Sequence, residues 1–176
     1  RVAPTRLDIR TGDMYTRRQI LTALLLKSGN DLAHCLARDY AGSEKQFAEI
    51  MTHRARLLGM KSSVFKTASG LPAKGQFSSA REMANLCRAA YANPTIRDIG
   101  CTRQFEFRFN DGRVRKLTNT NRLLKRVDGC DGMKTGYTHA AGRCLVSSAT
   151  QNNRTLIAIV LGSTPQSIWR DSEKVL

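Results

Sequence analysis

The sequence predicts an α+β fold in which helices come first and an antiparallel sheet follows. Up to about Tyr91, apolar residues recur every three or four positions, which is the period of an amphipathic helix. From Gln104 onward, apolar and polar residues alternate, as in a strand with one buried face. Helices that precede the strands, instead of alternating with them, favour segregated helical and sheet layers. We expect one domain over residues 1–176.

Capping residues mark the ends of the predicted helices. Ser, Thr and Asn satisfy free N–H groups at helix starts, and Gly accepts the left-handed conformation that closes many helices. The first predicted helix runs from the N-cap Thr16 through Leu21, Leu24 and Leu25, and a break follows at residues 27–31. Two further helices are predicted over residues 32–40 and over residues 44–58, the second closed by Gly59. The last of these helices starts at a Ser79/Glu82 capping box and ends near Tyr91, before Asn93-Pro94.

The strands are predicted from alternation and turn residues. Phe105, Phe107 and Phe109 share one face of the first strand, and Asn110-Asp111-Gly112 is a strong hairpin turn. The predicted strands cover residues 104–109, 114–117, 133–138, 144–150 and 155–162, and a final helix over 165–176 packs Ile168, Trp169 and Val175 on the sheet.

The chain is strongly basic, with 29 Lys and Arg against 14 Asp and Glu, a net charge of +15. Such a charge attracts anionic partners, among them nucleic acid, acidic membrane surfaces and anionic cell-wall polymer, or it simply keeps the surface solvated. The basic residues are scattered and only 6% of residues are aromatic, whereas nucleic-acid modules typically combine a basic stripe with stacking aromatics. We therefore predict no nucleic-acid partner.

The five cysteines form no CxxC pair and no cluster with histidine, so the sequence predicts no metal site and no cofactor. We expect no bridge between Cys130 and Cys144. If Thr138 pairs with Arg143 across a four-residue turn, Cys144 faces Tyr137 while Cys130 lies near Gln151, too far apart for a disulfide.

Two short motifs carry the chemical signal. Ser28-Gly29-Asn30 lies at the break between two helices, and Lys134-Thr135-Gly136 lies on a predicted strand before a tight turn. Each alone is weak, since Ser28-Gly29-Asn30 also suits a helix end and Lys134 also suits a solvated surface. In this order and context they match the S-x-N and K-T-G motifs of the serine penicillin-recognising enzymes.

The similarity extends along most of the chain. The blocks that carry it are residues 11–37, residues 47–72 with Leu58-Gly59-Met60-Lys61 and Ser69-Gly70-Leu71-Pro72, residues 78–84, and residues 127–142. The chain resembles the low-molecular-mass penicillin-binding proteins of peptidase family S11, the serine D-alanyl-D-alanine carboxypeptidases. The resemblance implies a β-lactamase/transpeptidase-like fold, an antiparallel sheet with a helical subdomain.

The resemblance also implies a reaction and roles for named residues. The family removes the terminal D-alanine of peptidoglycan stem peptides through an acyl-enzyme, and it binds β-lactam antibiotics. Ser28, Asn30 and Lys134 are the implied catalytic residues, with Ser28 relaying a proton and Asn30 steadying the catalytic lysine. Thr135, Gly136 and Tyr137 are the implied substrate-binding residues. Lys134 and Thr135 suit a substrate carboxylate, since a cation and a hydroxyl hold an anion by charge-assisted hydrogen bonds.

The first family motif, S-x-x-K, supplies the nucleophilic serine and its lysine, and residues 1–27 do not contain it. The one match, Ser63-Val64-Phe65-Lys66, follows Asn30 and suits an extended segment. We therefore expect an incomplete domain that is inactive without the N-terminal segment of the same protein. The start at Arg1-Val2-Ala3-Pro4 also suggests the interior of a longer chain, secreted to the periplasm or another extracytoplasmic site by a signal peptide.

Three alternatives remain open. A β-lactamase shares the superfamily motifs but needs a deacylating carboxylate, for which the sequence offers no candidate. A non-catalytic wall-binding domain would explain the absence of S-x-x-K. A basic nucleic-acid binder would explain only the charge.

Overall fold

The computed structural model describes residues 5–176, so the expectation built on residues 1–4 lies outside the described residues. Six helices, five strands and a 3₁₀ turn make up the described chain. They are, in chain order, α1 (Arg17–Lys27), α2 (Asn30–Ala41), α3 (Glu44–Leu57), α4 (Ala80–Ala92), α5 (Pro94–Cys101), β1 (Gln104–Arg108), β2 (Val114–Thr118), the 3₁₀ turn (Arg122–Lys125), β3 (Cys130–Thr138), β4 (Gly142–Gln151), β5 (Arg154–Ser163) and α6 (Ile168–Val175). The α+β prediction is confirmed.

The predicted starts of α1, α3 and α4 are confirmed, whereas α2 starts at Asn30 instead of Leu32 and α6 at Ile168 instead of Pro165. The predicted break over residues 27–31 is therefore only two residues long, Ser28 and Gly29. Thr16 caps α1 and forms a reciprocal capping box with Gln19. The Ser79 hydroxyl accepts the N–H of Glu82 at the start of α4, as predicted. The Glu82 carboxylate does not accept the backbone N–H of Ser79, the second hydrogen bond of a capping box. It instead accepts hydrogen bonds from the N–H and hydroxyl groups of Ser62 and Ser63, so the capping box is only half formed and the carboxylate ties the preceding loop to α4.

Helix α5 was not predicted, because Asn93-Pro94 was interpreted only as a helix end. The Asn93 side chain accepts the N–H of Ile96, and Pro94 occupies the first turn of α5. Proline is well suited there, since its missing N–H has no partner in the first turn. The same dipeptide thus ends α4 and starts α5.

The strands form two sheets, whereas the sequence predicted a single antiparallel sheet. β1 and β2 form a separate hairpin, and β3, β4 and β5 form an antiparallel sheet in that order. β3 is therefore an outer strand: one of its edges pairs with β4, and no described strand pairs with the other. Phe107 of the hairpin is 1% exposed and packs with Leu26 and Leu32 in the main core, which joins the hairpin to the helices.

The β3–β4 register differs by one residue from the predicted one. Thr138 pairs with Gly142, across a three-residue loop instead of four. Cys144 therefore lies opposite Gly136, and Cys130 lies opposite Ala149. The five positions of β4 that separate the two thiols correspond to about 17 Å at the usual strand rise. The specific register was wrong, and both thiols are free.

Helix α6 covers the sheet with its first turn. Ile168 is buried, and Trp169 packs beside it against Leu123 and Leu145. Val175 is 59% exposed, so its predicted packing on the sheet was wrong. In the last turn of α6, Ser172 is fully buried while Lys174 and Val175 face solvent.

Candidate active site

The Ser28-Gly29-Asn30 segment forms a sharp corner between α1 and α2. Ser28 adopts a left-handed conformation, with φ of 57°, and its N–H donates to the Leu24 carbonyl at 2.8 Å. Gly29 is buried, and a Cβ atom there would lie 2.9 Å from the Leu32 side chain. The corner therefore needs a small second residue, and it turns the chain where the Ser28 side chain meets the sheet.

Asn30 is the first residue of α2, and its side chain is held by the N-terminal segment. Its amide donates to the Thr5 carbonyl at 3.0 Å, and its backbone N–H donates to the same oxygen at 2.8 Å. The neighbouring Asp31 carboxylate accepts the N–H groups of Leu7 and Asp8. These bonds fix residues 5–8 against the start of α2. No pattern in the sequence predicts that Asn30 bonds Thr5.

Lys134 joins the two motifs across the molecule. It lies on β3, and its ammonium group donates to the Ser28 hydroxyl and, at 2.9 Å, to the Thr135 carbonyl. An ammonium group has three donors, so a third remains for a ligand. Burial lowers the pKa of Lys134 from 10.5 to about 8 because it removes water from the charged form. An approaching anion would favour that charged form.

Thr120 connects α1 to the K-T-G strand, although it belongs to neither sequence motif. Its hydroxyl lies 2.7 Å from the Thr135 hydroxyl and 3.2 Å from the Leu26 carbonyl, which its N–H also contacts at 3.1 Å. Its neighbours anchor the loop, since the Asn119 amide donates to the Thr102 carbonyl and the Asn121 amide donates to the Gly132 carbonyl. The signal was the run Asn119-Thr120-Asn121, whose amides and hydroxyl suit a loop held by side-chain bonds.

Gly136 leaves the outer strand open beyond Thr135. A Cβ atom at Gly136 would lie 3.7 Å from the Cys144 side chain, an ordinary contact, so packing within the chain does not require glycine. Glycine in a strand often marks close approach by a ligand or another backbone. Tyr137 follows, 40% exposed, with the Arg143 guanidinium 4.4 Å from its ring centroid.

Ser63 is a poor candidate for a nucleophile. It is fully buried, and its hydroxyl contacts the Glu82 carboxylate at 2.5 Å and the Ser78 hydroxyl at 2.8 Å. The hydrogen bond from Ser63 is the main reason that the pKa of Glu82 falls to about 2. Lys66 is exposed on the same loop. The Ser63 hydroxyl therefore holds the loop in place through Glu82 and Ser78, and no lysine lies beside it to act as a base.

The described residues, 5–176, lack two further features. None of the helices there is long and apolar enough to cross a bilayer. The same residues contain no group of three or more His, Cys, Asp or Glu side chains placed to hold a metal ion.

Comparison with known proteins identifies the class of protein to which this fold belongs. The model of the D-alanyl-D-alanine carboxypeptidase family, peptidase S11, matches residues 5–165. The chain therefore belongs to this family, and its fold is the β-lactamase/transpeptidase-like one.

Individual relatives agree with the family match. D-alanyl-D-alanine carboxypeptidase DacF of Bacillus subtilis is 36% identical over 163 residues, which cover 92% of this chain and 42% of the relative. D-alanyl-D-alanine carboxypeptidase DacC of Escherichia coli is 39% identical over 170 residues, which cover 96% of this chain and 42% of the relative. The chain thus spans about two fifths of the length of these two relatives.

Solved structures show the same architecture. A mutant of the Streptomyces K15 DD-transpeptidase superposes with a TM-score of 0.92 at 29% identity, covering 98% of this chain and 71% of that one. The D-alanyl-D-alanine carboxypeptidase from Mycobacterium tuberculosis gives a TM-score of 0.84 at 33% identity, covering 92% of this chain and 61% of that one.

Proposed function

We propose that this chain forms most of the catalytic domain of a serine D-alanyl-D-alanine carboxypeptidase. The enzyme would remove the terminal D-alanine of peptidoglycan stem peptides and would be acylated by β-lactams. The observation that carries the proposal is the contact between Lys134 and Ser28, residues of two family motifs that lie 106 positions apart. The family match also supports a carboxypeptidase over a β-lactamase or a wall-binding module.

Lys134 and Thr135 would hold the terminal carboxylate of the peptide. The spare donor of the Lys134 ammonium and the Thr135 hydroxyl supply a charged and a neutral hydrogen bond to one anion. The open edge beside Gly136 suits a peptide that lies along β3 as an added strand. The backbone N–H of Tyr137 would then donate to the oxyanion of the tetrahedral intermediate, where a preformed donor is most effective.

Ser28 would relay a proton toward the leaving D-alanine amine. Its hydroxyl already contacts Lys134, whose lowered pKa leaves it closer to neutrality than a surface lysine. Asn30 would hold the substrate carbonyl and the catalytic lysine once the complete site forms. That role requires its amide to release the Thr5 carbonyl or to share it, since the two are bonded at 3.0 Å.

The nucleophile and its base would come from a segment outside these 176 residues. Acyl transfer needs both groups within hydrogen-bond reach, and Ser28 has Asn30, not a lysine, close behind it in sequence. We propose that the N-terminal segment of the same protein supplies S-x-x-K. A signal peptide would carry the whole enzyme to the periplasm or another extracytoplasmic site, where its trimming of stem peptides would influence cell shape.

Labelling with a fluorescent penicillin tests the proposal. The full-length protein should form a covalent adduct at the serine of its S-x-x-K motif, and the 176-residue chain alone should form none. In the full-length protein, Lys134→Ala should raise the activation free energy of acylation by about 2–4 kcal/mol, a typical loss for a charged contact. Lys66→Ala, which removes an exposed lysine elsewhere, is the matched control and should label at the normal rate.

Two results would contradict the proposal. Stoichiometric labelling of the 176-residue chain at Ser28 or Ser63 would place the nucleophile inside it. Full-length protein that labels equally fast with and without Lys134 would mean that another cation holds the carboxylate.

A further inference from the structure

A cationic groove lies beside the middle of β3, next to Lys134-Thr135. It encloses about 580 Å³ and borders the site through Thr120, which bonds Thr135, and through Lys27, which precedes Ser28. Six basic residues line the groove and no acidic residue does: Lys27, Arg103, Arg122, Lys125, Arg126 and Arg143.

Most of these cations have no acidic partner in the described part of the chain. Arg126 pairs with Glu173 at 2.6 Å. The other five form no ion pair within residues 5–176. Like charges that line one concave surface repel one another and focus a positive potential into it. An anion in the groove would relieve that repulsion.

Aromatic rings hold two of the guanidinium groups in place. Arg122 lies 5.4 Å from the ring centroid of Trp169, and Arg143 lies 4.4 Å from that of Tyr137. Neither guanidinium forms a hydrogen bond with another described side chain, so their N–H groups remain available. A guanidinium fixed on a ring can bind a carboxylate with two parallel hydrogen bonds at a low entropic cost.

We propose that the cationic groove is an anion subsite for a peptide that carries carboxylates in addition to its terminal one. The proposal rests on the proposed function, in which the terminal carboxylate occupies the neighbouring Lys134–Thr135 site. Lys27 directly precedes Ser28, and Arg143 lies opposite Tyr137 on β4, so these two groove cations flank the place where the peptide would end. Nucleic acid fits less well, because Arg122 and Arg143 already cover the Trp169 and Tyr137 rings, the aromatic surfaces on which bases would stack.

Trp169 provides a local reporter for the test, because it is the chain's one tryptophan and it lines the groove. Its indole N–H resonance, assigned from its loss in Trp169→Phe, can be followed by NMR while the full-length protein, with the serine of its S-x-x-K motif replaced by alanine to prevent turnover, is titrated at low salt. Two peptides end in D-Ala-D-Ala and carry either two glutamates or two glutamines before it. A third carries two glutamates before L-Ala-L-Ala. The glutamate D-peptide should bind at least fivefold more tightly than its glutamine counterpart.

Charge reversal localises that preference. Arg103→Glu with Arg143→Glu should abolish the glutamate preference while leaving Arg122 stacked on Trp169. Arg54→Glu with Arg88→Glu reverses two exposed charges outside the groove, gives the same net charge, and should keep the preference. Circular dichroism of both variants checks that each is folded.

The outcomes separate this proposal from the proposed function. Equal binding of glutamate and glutamine peptides, or equal loss in both variants, would overturn the subsite. Inorganic triphosphate that binds as tightly as the glutamate peptide, with the same dependence on Arg103 and Arg143, would also overturn it as a peptide subsite. A preference for D- over L-alanine tests the Lys134–Thr135 site alone. If the protein showed no preference for D- over L-alanine but kept its preference for glutamate, the result would count against the proposed function and support the anion subsite.

Discussion

Replacing Lys134 with methionine should stabilise the folded chain slightly at neutral pH and remove a pH dependence. Burial lowers the pKa of Lys134 from 10.5 to about 8. At about 1.4 kcal/mol per pKa unit, keeping this lysine charged costs the folded state about 3 kcal/mol. Methionine avoids that cost but loses the hydrogen bonds to Ser28 and Thr135, at about 1 kcal/mol each. The expected net gain at pH 7 is about 1 kcal/mol.

The sign of the pH dependence follows from proton binding. Between pH 8 and pH 10.5 the unfolded chain keeps the Lys134 proton while the folded chain releases it. The free energy of unfolding contributed by Lys134 therefore rises with pH in that window, by about 2–3 kcal/mol from pH 7 to pH 10. The methionine variant lacks this rise, so the wild-type chain should become the more stable of the two at pH 10.

Urea unfolding at pH 7, 8, 9 and 10, followed by circular dichroism, measures the difference between wild type and Lys134→Met. Other titrating groups cancel in that difference because both proteins share them. Lys66→Met, at an exposed lysine, should run parallel to wild type across the same range. Parallel curves for Lys134→Met and wild type would refute the reasoning, since they would mean that the ammonium group is not desolvated by folding.

Three further predictions concern the core, the cysteines and the loop beside the site. Phe107→Ala should lower the free energy of unfolding by about 3–5 kcal/mol in urea melts, because the ring is 1% exposed; a loss below 1 kcal/mol would contradict its burial. Peptide mapping under non-reducing conditions should show no Cys130–Cys144 disulfide, and finding one would refute the β3–β4 register. Thr120→Val should cost about 1–2 kcal/mol of stability and Thr120→Ser close to none, because serine keeps the hydroxyl that contacts Thr135; equal losses would assign the effect to packing instead.

The sequence predicted the order and type of most elements because their signals are local. Thr16 and Ser79 cap helices through their own side chains, and the alternation of Phe105, Phe107 and Phe109 sets one face of β1. The separation of β1 and β2 from the other strands was not predictable in this way. It depends on the packing of Phe107 against α1 and α2, a contact between residues distant in sequence.

The positions of the two motifs could be predicted from sequence for the same reason. The motifs located Ser28 and Lys134, which the structure brings into contact. The partners that hold the motifs in place were not predicted, since Thr5 and Thr120 contact them only through the tertiary fold. The one-residue error in the β3–β4 register came from the loop, where a three-residue and a four-residue turn fit residues 139–142 equally well in sequence.

The three-stranded sheet has two unpaired edges among the described residues, and they have opposite consequences. The edge of β3 is suited to receive a peptide, whereas the edge of β5 carries Leu156 and Leu161, 53% and 42% exposed. An exposed apolar edge strand invites the same strand of another molecule to pair with it. The net charge of +15 opposes that encounter at long range, so colloidal stability of the isolated chain should depend on low ionic strength. Added salt screens the repulsion between molecules and leaves the attraction between β5 edges unopposed.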